Sequence, residues 1–279
     1  MIRTISFITS HPLTRDRPLA AIARFVRWQI ESRFKRDVIF DWVEGAKLVV
    51  RNGMTGATGN IYCGLHEFAD MGFLLHFLRP GDLFVDVGAN IGSYTILASA
   101  VCGAGSIAIE PDPNTMKALK ENIAINDLGP KVVPIEAAMG RKAGHVRFTV
   151  GRDTVNRVAN DSDLNVQVVK VECLDDLLQD RAPAFIKLDV EGFEADVIAG
   201  ASRTLMAPSL LAIETEGRQT EVVESLKRAG FEEYSYEPWS RTLSRSEGQS
   251  SNALFLRNRD QVSQRLLSAQ KRIILGHLI

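Results

Sequence analysis

The chain has 279 residues, 45% apolar and 24% charged, enough to bury a sizeable core as one large domain with appendages. A formal charge of -1 speaks against a general nucleic-acid binder, and no apolar run approaches the roughly 18 residues of a membrane span. Cys63, Cys102 and Cys173 lie far apart without a CxxC pair, and the early "ISFI" is too short for a signal-peptide core, so a soluble, reducing, cytoplasmic setting is expected, with neither disulfide framework nor zinc site.

Residues 1–45 read as a basic, amphipathic helical arm. Within the first 36 residues, eight arginines and lysines oppose only Asp16 and Glu31, a net charge of +6 that leaves -7 for the rest. From Pro18 to Phe34, Leu19, Ile22, Ala23, Val26 and Ile30 recur at helical spacing. The stripe suits a helix packed on the body. A membrane surface or an anionic partner is the alternative.

Residues 46–80 read as a hairpin and helix lead-in. "KLVVRNGMTGATGNIYCG", from Lys47 to Gly64, starts like a strand and then carries glycines at 53, 56 and 59, which predicts a hairpin with a Gly-rich bend. Without a GK[ST] ending it is no phosphate loop.

From residue 81 to 258 the pattern becomes regular. The apolar runs "LFVDVG" (83–88), "SIAIEP" (106–111), "KVVPIEAA" (131–138), "AFIKLDVEG" (184–192) and "LLAIETEG" (210–217) alternate with helical stretches at 92–102, 113–126, 193–206 and 219–229. Such strands indicate a mostly parallel sheet with helices on both faces. An insertion, 141–176, alternates like β structure in "HVRFTV" and "VQVVKVE" around a polar segment, "GRDTVNRVANDSD". "EEYSYEP" and "NALFLRN" supply two late strands, one of them a reversed edge, and 259–279 forms a C-terminal helix.

The first strand-to-helix turn, Gly88-Ala89-Asn90-Ile91-Gly92, lies where open α/β sheets bind ligands. Its spacing is GxxxG, with Asn90 where a dinucleotide fingerprint has its second glycine, which counts against the rival reading of an NAD-dependent oxidoreductase. Asp86 would repel a pyrophosphate but accept a hydrogen bond from an ammonium group, so an adenosine with a cationic amino-acid tail fits better. Glu110, 22 residues after Gly88, suits the ribose hydroxyls, and Pro111 stops its strand. Glu136 could accept from the adenine amino group, with Ala137 and Ala138 leaving room for the ring.

"VDVGANIGSYT", "AIEPDP", "LKENIAIN", "LDDLL", "IKLDVEGFEADVIAGA", "LLAIETEG" and the late "NALF" together resemble the FkbM-type family of S-adenosylmethionine-dependent methyltransferases. The resemblance spans about Leu65 to Leu256. It implies a Rossmann-like seven-stranded methyltransferase sheet and O-methylation of a sugar or polyhydroxylated natural product. It also places an acidic residue, Glu67, near the cofactor or acceptor. A non-catalytic member that binds cofactor or sugar is the second alternative.

Methyl transfer to a sugar hydroxyl needs alignment and a proton acceptor. Extended geometry in "KLDVEG" sets Lys187, Asp189 and Glu191 on one side, so Asp189 and Glu191 are the catalytic candidates and Lys187 is expected to pair with a carboxylate on a neighbouring strand. In the alternative reading "DVEGFE" is a helix cap in which Glu191 and Glu194 only favour the helix N-terminus. Asn156 and Arg157 in the insertion, with Glu214 and Glu216, are candidates for acceptor contact. Mg²⁺ on Asp189, Glu214 and Glu216 is possible chemistry without a recognisable ligand signature, and no metal site is assigned. His11, His76 and His145 have no partner motif, and His66 is ordinary beside Glu67. The basic arm favours a phosphate-bearing acceptor such as a nucleotide-linked or lipid-linked sugar over a neutral one. Peripheral membrane contact and a homo-oligomer are open.

Overall fold

The computed structural model describes residues 2–151, 156–160, 163–246, 248 and 252–279. Parts of the polar insertion segment, 152–155 and 161–162, therefore lie outside the described residues.

The centre is an eight-stranded sheet. Its strands are β3 (Leu83–Val87), β4 (Gly105–Ile109), β5 (Val132–Ile135), β9 (Phe185–Leu188), β10 (Ala212–Glu216), β11 (Glu232–Glu237), β12 (Thr242–Arg245) and β13 (Asn252–Leu256), in the spatial order β12-β11-β13-β10-β9-β3-β4-β5. Strands β10, β9, β3, β4 and β5 run parallel. Two strands run against the rest: β13, which lies inside the sheet between β10 and β11, and β12, which supplies the reversed edge expected. The eighth strand, beyond the seven expected, is β12, which folds back on β11 after the turn at Arg241.

Alternation along each strand divides the core in two. Val85, Ile107, Ile186 and Ile213 face α8 (Glu194–Ala199) and α10 (Thr220–Arg228), whereas Phe84 and Phe185 face α4 (Phe68–Phe77) and α11 (Arg259–Leu267). Phe73 stacks on Phe77 at 5.2 Å and meets Phe185 edge-on at 5.5 Å. Truncating one such buried ring to Ala costs about 3–5 kcal/mol. From β3 the chain winds outward to β4 and β5, then returns to β9 and β10 on the other side. The topological switch therefore falls between β3 and β9, where a crevice opens at their carboxyl ends.

The Gly-rich hairpin expected at 47–64 does not form. Strand β2 (Lys47–Val50) pairs backwards with β1 (Val38–Asp41), and Thr55–Cys63 is a helix, α3. Burial of Ala57, Ile61 and Cys63 outweighs the weak helix propensity of its glycines. A Cβ at Gly59 would fall 1.6 Å from His66 Nδ1, so that glycine serves close packing rather than a turn.

Two helices precede this hairpin, α1 (Ile2–Ser10) and α2 (Pro18–Phe34). Helix α2 buries Ala21, Phe25, Trp28 and Ser32. The apolar stripe read from the sequence is on its other side, facing solvent.

The insertion is β structure, as its alternation suggested. Strands β7 (Gly144–Thr149) and β8 (Val166–Glu172) form an antiparallel hairpin, with β6 (Ala138–Met139) alongside β8. The C-terminal helix α11 is followed by a small hairpin of β14 (Ile273–Ile274) and β15 (His277–Leu278). Among the described residues, no helix is long and apolar enough to cross a membrane.

Candidate active site

A cavity of about 380 Å³ opens at the carboxyl ends of β3, β4 and β9, a size suited to a nucleoside-like ligand. Its wall includes Glu67, Asp86, Gly88, Ala89, Asn90, Glu110, Pro111, Ala137, Asn156, Asp189, Glu191 and Glu216. Four of the sequence candidates, Gly92, Glu136, Arg157 and Glu214, are not on it.

Glu110 organises the turn. Its carboxylate accepts from the backbone N–H of Asn90 at 3.0 Å and of Asp112 at 2.8 Å. Burial pushes its carboxyl up to about 7, with those two N–H groups pulling the other way. Asn90 sits in the left-handed region at φ 51° and accepts from Ile91 N through its own side chain. Gly88, at φ 81°, has a reason the sequence did not reveal: a Cβ there would fall 1.9 Å from the carbonyl oxygen of Asp189. The two strand ends on either side of the switch point thus touch backbone to backbone. Gly92 borders Leu119 rather than the cavity.

Glu136 corrects an expectation. Strand alternation at the end of β5 turns it to the solvent side, 3.9 Å from Lys120, while Ala137 faces the cavity. Arg157 ion-pairs with Asp163 within the insertion at 3.0 Å. Asn156 does reach the cavity wall and donates to Asp112 at 3.2 Å, tying the insertion to the start of α6 (Pro113–Ile125).

On the far side of the switch point, Lys187 donates to Asp189 Oδ2 at 2.6 Å and stands 4.6 Å from the centroid of the Tyr94 ring. Its partner is on its own strand, not the neighbouring one expected. The neighbouring strands nonetheless set carboxyl groups beside it, since Asp86 of β3 and Glu214 of β10 are its register partners. Burial alone would lower the Lys187 ammonium, but Asp189, Glu214, Glu67 and Asp86 together outweigh it and hold it charged. Asp86, buried and accepting from Thr95 Oγ1 at 2.6 Å, is raised by burial, against the opposing pull of Lys187.

Beneath the cavity the structure assembles an acidic network from distant parts of the chain. Tyr94 donates to Glu67 at 2.7 Å, and Asn252 donates to both Glu67 and Asp70 at 3.1 Å. Desolvation and then Glu67 push the Asp70 carboxyl up to about 7. Glu214, with both carboxyl oxygens buried and without a hydrogen-bond partner among the described residues, is raised well above the carboxylate range by burial and by Asp70. It is a buried acid next to the site rather than an acceptor contact.

Asp189, Glu191 and Glu216 each bring a carboxylate oxygen to within 4.8 Å of the others. Burial first, then Asp189 and Glu191, raise Glu216 to about 7. Burial and Asp189 also raise Glu191. The cluster can hold a proton at neutral pH. Sequence reasoning missed Tyr94, Asp70 and Asn252 as site residues, although "GSYT" and "NALF" contain two of them, and also Phe148 and Phe193, which line the cavity from the insertion and the α8 entry.

The sheet order, the glycine turn and the strand-end acids define a Rossmann-like methyltransferase fold. Residues 86–239, more than half of the chain, match the methyltransferase FkbM domain, and the chain belongs to that family. The hexuronic acid methyltransferase AglP of Haloferax volcanii is 26% identical over 145 residues, which are 50% of this chain and 59% of that protein. The ribosomal protein L11 methyltransferase of Carboxydothermus hydrogenoformans is 44% identical over 61 residues, covering 22% of this chain and 20% of its own. Among solved structures, an FkbM methyltransferase from Methylobacillus flagellatus KT aligns with a TM-score of 0.43 at 14% identity, over 85% of this chain and 60% of that one.

Proposed function

We propose that the protein transfers a methyl group from S-adenosylmethionine to a hydroxyl of a sugar or glycan precursor. Family membership supports methyl transfer, and the hexuronic acid methyltransferase among the relatives supports a sugar acceptor. The observation that carries the reading is the opposition, across one cavity, of the Glu110–Asn90 turn and the Asp189–Glu191–Glu216 cluster.

The residues present fit the cofactor. Glu110 faces the cavity with lone pairs left for ribose hydroxyls, Ala137 and Ala138 leave space for a flat ring, and Asp86 and Glu67 offer acceptors to an ammonium group. When bound, S-adenosylmethionine supplies a methyl group on a sulfonium. The carboxylates of the cluster then orient the acceptor hydroxyl and receive its proton. Lys187 fixes the Asp189 carboxylate, so Asp189 orients, while Glu216 and Glu191, raised toward neutrality, are better proton acceptors. Phe148, Val158 and Phe193 shield the cavity from bulk water.

Calorimetric titration with S-adenosylhomocysteine, followed by labelled-methyl transfer to uronic-acid-bearing oligosaccharides, tests the proposal. Saturable binding and transfer are expected. No heat at millimolar ligand would overturn the cofactor assignment, and binding without transfer to any hydroxylated acceptor would leave only the binding reading.

A further inference from the structure

We propose that helix α2 is a docking surface for anionic lipid bilayers. Its outward side carries Leu19, Val26, Ile30 and Phe34, which are 80%, 47%, 54% and 85% exposed. Their spacing places them, with Ile22 and Ala23, along one stripe of the helix, diametrically across from the buried Ala21, Phe25, Trp28 and Ser32. The helix is therefore apolar on two sides, and only one is used by the fold. A solvated surface helix has no need of the second.

Charge identifies the occupant. Arg15, Arg17, Arg27, Arg33, Lys35 and Arg36, all exposed, border this stripe or follow its ends, and residues 1–36 carry +6 while the remainder carries -7. An apolar ridge edged with cations, lying flat rather than spanning, matches the boundary between acyl chains and anionic headgroups. Two copies meeting through this face would bring two +6 regions together, which opposes self-association there. A soluble anion would use the arginines and leave the apolar ridge in water.

The buried side fixes α2 to the body. Arg24 donates to the Tyr62 carbonyl at 2.8 Å, and Phe25 meets the Tyr62 ring at 5.3 Å, both on α3, whose Gly56 borders the cavity. A bilayer on α2 would lie one helix away from the site. The proposal stands on surface and charge and is independent of the methyl-transfer reading.

The test is flotation of the full chain with vesicles of phosphatidylcholine alone or mixed with phosphatidylserine. The protein should float with the mixed vesicles, not with the neutral ones, and detach at high salt. A combined Leu19→Gln, Ile30→Gln, Phe34→Gln variant and a combined Arg27→Gln, Lys35→Gln, Arg36→Gln variant should each lower the bound fraction about tenfold or more. All six side chains are exposed, so circular dichroism and melting should be unchanged, and Val168→Gln on the exposed insertion should bind like the parent. Three results would overturn the proposal: no binding to the mixed vesicles, parent-level binding by both triple variants, or a dimer in light scattering that the apolar triple variant dissociates.

Discussion

Lys187 reaches Asp189 at 2.6 Å along its own strand, so one carboxylate at the mouth of the switch point is held in place by a cation buried beneath it. Asp189→Asn should keep the side chain's shape while removing its charge. Turnover is expected to fall about 10²-fold, the scale of a lost orienting contact, with S-adenosylhomocysteine affinity within a few-fold of the parent. Single-turnover rates and calorimetry on the same preparations separate the two. Loss of affinity with an unchanged saturated rate would make Asp189 a cofactor ligand instead.

Gly88→Ala should damage both fold and site. The added Cβ would meet the Asp189 carbonyl at 1.9 Å in a backbone at φ 81° that L side chains avoid, and neither strand end can yield without moving the other. A loss of about 2–4 kcal/mol is expected from the clash and the strain together. Gly129→Ala, which has open space around it, is the control. Urea midpoints compared at constant m-value provide the measurement, and equal midpoints for the two variants would refute the contact.

Glu110 and Glu136 make a matched pair, because the sequence suggested both for the cofactor site and only Glu110 lies on the cavity wall. Glu110→Gln retains an acceptor for one N–H of the turn and loses the carboxylate facing the cavity. Ligand affinity should drop about tenfold or more, given the roughly 1.5–3 kcal/mol of a charged hydrogen bond. Glu136→Gln should change it less than twofold, since that side chain lies on the solvent side near Lys120. Comparable losses in the two variants would restore Glu136 to the site.

That pair shows where sequence reading stops. The apolar runs and the Gly-rich turn were legible because a parallel strand covered on both faces must be apolar throughout, and a tight approach leaves its glycine in print. A register at a strand end decides whether Glu136 or Ala137 faces inward, and one residue reverses the answer. The stripe on α2 was equally visible, but a helical wheel does not say which of two apolar sides meets the core. Contacts such as Asn252 to Glu67, 185 residues apart, depend on the sheet order and leave no local spacing to find.

The acidic network beneath the cavity should reveal itself in the pH dependence of stability. Asp70 has a folded value of about 7, above the roughly 3.9 of an unfolded aspartate, so between those limits the folded chain holds a proton that the unfolded chain has released. Its contribution is therefore complete below about pH 4 and is lost as pH rises through 7, with a slope of up to about 1.4 kcal/mol per pH unit. His11 and His76, pushed down to about 4 by burial, act in the opposite sense: their contribution is present above about pH 6.5 and is lost as pH falls toward 4. In the parent these slopes overlap with one another and with those of Glu110 and Glu216, which run in the same sense as Asp70, so the group must be isolated by substitution. Asp70→Asn removes the charge that must be desolvated at high pH and keeps a polar partner for Asn252. Its melting temperature relative to the parent should be higher at pH 8 than at pH 5, by several degrees. Scanning calorimetry at the two pH values reads this difference directly. A gap of the same size at both would mean that Asp70 is already ionised throughout the range, stabilised by Lys187 more strongly than desolvation and Glu67 destabilise it.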